Sequence, residues 1–164
     1  MSGLHKVRDV IMKVIGVATS VLFGFMTLIG TYQIVVRYVF NRPSTVSEEL
    51  LTYSFAWMAL LASAYVFGKR DHMRMAFLAD KVTGTPKKIM EIFIQFLIFA
   101  FAAVVMVYGG ASITKLTMTQ VTASLQIPMG YVYIIVPVSG ILIMFFSLVN
   151  AFDVLKTDYR KEER

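Results

Sequence analysis

The chain contains no cysteine, which excludes disulfides, thiolate metal sites and cysteine nucleophiles. It has only two histidines, His5 and His72, and a single tryptophan, Trp57. A haem carrier in a membrane bundle needs axial ligands such as His within its spans. Both histidines lie outside the apolar stretches, which argues against an electron-carrying subunit. The most informative absence is charge. No Asp, Glu, Lys, Arg or His occurs in residues 14–36, 50–68, 92–114 or 116–152.

A helix rises about 1.5 Å per residue, so roughly 20 apolar residues cross a hydrocarbon core of about 30 Å. The first three charge-free stretches fit one crossing each. The fourth is too long for one, and Pro128 and Gly130 mark where it divides. The expected fold is an all-α membrane protein with four transmembrane helices, over about residues 10–38, 47–68, 86–114 and 128–152. The remainder of the 164 residues is too short for a separate soluble domain, so residues 1–164 form one domain. The first apolar run is longer than the 7–15 residues of a signal peptide, and no A-x-A-like site follows it. It is read as a retained span.

The formal charge of +6 sets orientation rather than nucleic-acid binding. The segment before span one, the connection between spans two and three, and the C-terminal tail together hold 13 of the 16 basic residues. The positive-inside rule therefore places both termini in the cytoplasm. Within the second connection, Met73, Phe77, Leu78 and Val82 share a helical face. A short amphipathic helix on the membrane surface is expected there. Lys69, Arg70, His72, Arg74, Lys87 and Lys88 are expected to set topology and meet lipid head groups.

Local signals refine the spans. Thr45-Val46-Ser47-Glu48 fits a capping box, with Thr45 as N-cap and Glu48 reaching back. Glu48 and Glu49 sit where the helix dipole favours negative charge, within pairing range of Arg37 and Arg42. An interfacial cap with a weak ion pair accounts for them without any function; contact with a partner is the functional reading. Trp57 lies about two turns into span two, and fits a partner-interface role, a core position with a buried partner for its N–H, or a lipid-facing one. Gly16, Ser20 and Gly24 share a face of span one and fit either internal packing or docking of another subunit. Thr85-Pro86 opens span three, and Pro128 suits the first turn of span four. Span three is expected to continue past the membrane as an outer protrusion. Pro137 is expected to kink span four.

Ion and proton paths need ionisable or clustered polar groups inside the membrane. Here Gln33, Gln95 and scattered Ser and Thr are the strongest polar groups in the spans. No nucleophile, metal-ligand cluster or phosphate loop is present. The residues point away from an enzyme and towards a subunit that supports another membrane protein.

The segment from Asn41-Arg42-Pro43 through Ser47-Glu48-Glu49-Leu50 to Trp57 resembles the small membrane subunit of tripartite ATP-independent periplasmic (TRAP) transporters, the DctQ-like family. So do Gly68-Lys69-Arg70-Asp71-His72-Met73 and Leu125-Gln126-Ile127-Pro128-Met129-Gly130 with Tyr133 and Pro137. The likeness runs over nearly the whole chain and rests on the order and spacing of these motifs. Two local departures are Val46, where many members have Trp, and Arg74-Met75, where many have an acidic residue.

The resemblance implies a scaffold for a large elevator-type membrane subunit, in the bacterial inner membrane. A periplasmic binding protein would deliver an organic acid such as sialic acid or a C4-dicarboxylate. Sodium would bind the large subunit, and this chain would carry no cofactor. Arg37, Arg42, Glu48, Glu49, Trp57, Pro128 and Pro137 are the candidate partner contacts. The alternatives are a self-sufficient homodimeric transporter and the membrane anchor of a redox complex.

Overall fold

In a computed structural model, residues 2–69 and 85–156 are described. Four stretches are long and apolar enough to cross a membrane: Gly3–Tyr38, Thr45–Lys69, Lys88–Thr117 and Gly130–Leu155. Span one is α1 (Ser2–Tyr38) and span two is α2 (Thr45–Lys69). Span three is α3 (Thr85–Phe101), a π-helical segment π1 (Ala102–Gly109) and α4 (Gly110–Thr117). Span four is α5 (Gly130–Tyr133) followed by α6 (Ile135–Lys156). The surface helix expected between spans two and three falls outside the described residues, as do Arg70, His72 and Arg74.

Span one begins earlier than expected. Its 37 residues make a helix about 55 Å long, well beyond a hydrocarbon core of about 30 Å. The basic N-terminal turns are therefore a helical extension. They return to the far end of the chain: His5 Nε2 lies 3.3 Å from Asp153 Oδ1, and an Arg8 guanidinium nitrogen 3.8 Å from Asp153 Oδ2. Both ends of the described chain thus lie on one side of the bundle.

Span four is the centre. Buried residues make up 39% of its most apolar window, against 6% in spans one and two. It packs against spans two and three, whereas span one rests chiefly on span two. Ala64, Ala102 and Ile143 form the buried centre, with Phe67, Ile98 and Met106 around them. Small residues at such crossings let helix backbones approach, which matters in lipid because burial from water supplies no drive there. Gly140 marks a close approach of spans three and four in the bundle interior. A Cβ on it would stand 2.7 Å from Met106 Cβ and 3.3 Å from the Met106 carbonyl carbon. The closest contact therefore falls on π1, where the turn is wider than an α-helix and the Gly110 N–H reaches back to the Val105 carbonyl.

Pro137 acts as its chemistry requires. It has no N–H for the Tyr133 carbonyl, and α5 ends at Tyr133, with Ile134 separating it from α6. Pro128 departs from expectation. It lies two residues before α5, in an antiparallel bridge with Val121, so it belongs to the loop rather than the first helical turn. Span three runs to Thr117, three residues past the expected end, before the chain turns back.

Candidate functional site: a hairpin and its clasp

Residues 118–129 link spans three and four as a tight hairpin. Thr122 N–H donates to the Ile127 carbonyl at 2.9 Å, and Met129 N–H to the Gln120 carbonyl at 2.8 Å. The Ile127 N–H donates to Thr122 Oγ1 at 3.3 Å, and Thr122 is fully buried. Gln126 takes a left-handed φ of 54° at the turn, and its side-chain amide donates to the Ala123 carbonyl. In place of the expected helical protrusion of span three, the chain forms a compact, internally bonded hairpin.

Its turn amides are held by span two. Ser124 and Leu125 both donate their backbone N–H to Glu49 Oε2 at 2.8 Å. Tyr53, one turn further along α2, donates its hydroxyl to Glu49 Oε1 at 2.6 Å. Charge-assisted bonds of this kind are shorter and stronger than neutral ones. One turn deeper, Trp57 Nε1 donates to the Val132 carbonyl at 3.0 Å. Positions 49, 53 and 57 recur at i, i+4 and i+8, so one face of α2 grips both the hairpin and the start of span four. Between them lies a cleft of about 210 Å³, walled by Leu50, Trp57, Leu125 and Tyr131.

The cap of α2 sits one residue earlier than the sequence indicates. Ser44 is the N-cap: its Oγ accepts from the Ser47 N–H at 3.3 Å and from the Ser47 hydroxyl at 2.9 Å. Thr45 is therefore the first helical residue, and Ser47 takes the position assigned to Glu48. This frees Glu48 to face outward, exposed. Among the described residues, no ion pair joins Arg37 or Arg42 to either glutamate. The reason is geometric. Glu49 turns inward to the hairpin amides, while Arg37 and Arg42 are exposed at the end of α1 and in the link after it.

The pattern of the family described as "Tripartite ATP-independent periplasmic transporters, DctQ component" matches residues 26–157, most of the chain and all of the clasp. The chain belongs to the DctQ family. It is 23% identical over 153 residues to the "Sialic acid TRAP transporter small permease protein SiaQ" of Vibrio cholerae serotype O1. That match covers 93% of this chain and 88% of the relative. It is 21% identical over 159 residues to a "Putative TRAP transporter small permease protein" of Haemophilus influenzae, covering 97% and 98% of the two chains. The family is a transport component, and four apolar helices make this DctQ chain a multi-pass membrane protein.

The other end of the DctQ bundle is closed by bonds that link helix termini to neighbouring spans. The last carbonyls of a helix lack intrahelical donors. Asn150 Nδ2 supplies one to the Phe67 carbonyl, near the end of α2, at 3.1 Å. Lys88 Nζ supplies another to the Leu155 carbonyl, near the end of α6, at 2.7 Å. Lys88 sits at the unfavourable start of its own helix but at the favourable end of its neighbour's. Lys87 lies in the first turn of α3. Lys69 ends α2, with its Nζ 4.8 Å from the Tyr65 ring centroid, a cation–π contact. Deeper in, the Ser147 hydroxyl lies 2.8 Å from the Gln95 carbonyl and 3.0 Å from Gln95 Oε1.

Nothing in the residue types signals that Glu49 reaches Ser124 and Leu125, because any residue but proline offers a backbone amide. Asn150 and Ser147 left a visible one: they are polar positions in the most apolar span.

Proposed function

We propose that this chain is the non-catalytic scaffold subunit of a sodium-coupled TRAP transporter. It would hold a large elevator-type subunit in the bacterial inner membrane, with both termini cytoplasmic. The observation that carries this reading is how the polar groups of the spans are used. Ser147 is bonded to Gln95, Asn150 to a helix-end carbonyl, Trp57 to the Val132 carbonyl, and Ser139 to the Val136 carbonyl of its own span. Gln33 differs, since its Oε1 is buried without a partner. A single amide is not a relay, and an ion or proton path needs clustered or ionisable groups. The polar groups serve rigidity, as a static support requires.

The substrate and sodium sites then belong to the large subunit, and this chain needs no cofactor. The likeness to a sialic acid small permease favours sialic acid over a C4-dicarboxylate. The clasp would give the large subunit and the periplasmic binding protein a firm outer surface. Its exposed rim is Arg37, Arg42 and Glu48, with Pro128 and Pro137 shaping the hairpin and span four behind it. Lys69, Lys87 and Lys88 would meet lipid head groups on the opposite side.

Reconstitution tests the reading. Liposomes holding this chain alone should show no sialic acid uptake. Liposomes holding it with the large subunit, supplied with the binding protein, should show uptake that stops when sodium is replaced by choline. Uptake by this chain alone would instead establish the self-sufficient homodimer.

A further inference from the structure

A second feature lies away from the clasp, at the end of the bundle where both described chain ends meet. An open groove of about 760 Å³ runs there along span one, over Met12, Gly16, Val17 and Ser20, with Tyr65 of span two at its side. Its outer mouth carries Asp9 and Lys13, and Lys69 stands beside it, over the Tyr65 ring. Asp9 is paired with Arg8, whose Nε is 3.5 Å away. Lys13 and Lys69 have no carboxylate partner among the described residues. That end of the open, mostly apolar groove therefore has two lysines without a carboxylate partner, Lys13 in it and Lys69 beside it.

The dimensions and the lining both fit a lipid. From Lys13 to Val21 the helix rises about 12 Å, near the ~15 Å depth of one hydrocarbon leaflet. The Ser20 hydroxyl is spent within its own helix, donating to the Gly16 carbonyl at 2.9 Å, and so asks nothing of a hydrocarbon chain. We propose that this groove binds an anionic phospholipid. Its phosphate lies at Lys13 and Lys69, and one acyl chain runs along Gly16, Val17, Ser20 and Val21. The inference is independent of the transporter reading, because it uses only this chain and the leaflet beside it.

The test is native mass spectrometry of the purified, delipidated full chain, titrated with phosphatidylglycerol and with phosphatidylcholine of identical acyl chains. Phosphatidylglycerol should bind about tenfold more tightly, as expected for two lysines near a phosphate. A Lys13→Gln/Lys69→Gln double variant should lose that preference. Ser20→Leu, at an exposed helix position, should weaken both lipids by blocking the channel. A Lys115→Gln variant, altered at the other end of span three, should bind as wild type. The proposal is overturned if the double variant keeps the preference. It is equally overturned if Ser20→Leu retains both lipids, the outcome expected of a groove that takes another protein's helix.

Discussion

Replacing Glu49 with alanine releases the hairpin from span two. The carboxylate accepts three bonds: from the Ser124 amide, from the Leu125 amide and from the Tyr53 hydroxyl. Alanine removes both acceptor oxygens, and with them all three bonds, and supplies none. The hairpin's own ladder, Thr122 to Ile127 and Gln120 to Met129, survives the change. The expected result is therefore local. Amide exchange at Ser124 and Leu125 should quicken by more than about tenfold, while the four spans keep their protection. Glutamine should not restore the wild type, because its single carbonyl oxygen replaces two charged acceptors. Trp57→Phe tests the next turn down. It removes the N–H given to the Val132 carbonyl and shrinks the indole to one ring beside the cleft, so a cost of about 1 kcal/mol for the bond, plus the lost packing, is expected. Unchanged exchange in Glu49→Ala would mean that the clasp does not hold the hairpin in the bilayer.

Replacing Gly140 with valine should have the larger effect on stability. The new Cβ alone would meet Met106 Cβ at 2.7 Å and Val107 Cγ2 at 3.0 Å. The neighbour on that side includes the backbone of π1, with the Met106 carbonyl carbon at 3.3 Å, so a rotamer change cannot relieve the clash. Spans three and four must separate or π1 must rewind. Overpacking of this kind typically costs 1–3 kcal/mol, and a backbone contact puts this site at about 3. Gly24→Ala is the matched control. Nothing lies within 4 Å of its added Cβ, and alanine in a helix is favoured over glycine by up to about 1 kcal/mol. Thermal unfolding in detergent should therefore move in opposite directions for the two variants. Equal midpoints would refute the close approach at Gly140.

The four spans were legible because charge is so costly in hydrocarbon that its absence over 20 residues is itself a signal. Proline chemistry was legible at Pro137, where a missing N–H acts locally, but not at Pro128. There, pairing with Val121 drew the residue into the hairpin. The cap of α2 was misplaced by one residue because Ser44 and Thr45 both suit an N-cap, and only backbone geometry chooses between them. Glu49 was recognised as an interfacial charge and assigned the wrong partners. A neighbouring arginine is visible in sequence, whereas two amides 75 residues away are not. The π segment left no trace either, since Ala-Ala-Val-Val-Met-Val-Tyr-Gly reads equally well as an α-helix. It coincides with the close approach of Gly140 from span four, a feature of two spans together.

The central claim is that this chain supports another membrane protein rather than working alone. A mild-detergent pull-down of the chain from its native membrane tests that claim most directly, with partners identified by mass spectrometry. The account predicts recovery of one much larger multi-span protein in about equal amount. Recovery of this chain by itself, as a stable homo-oligomer, would contradict it.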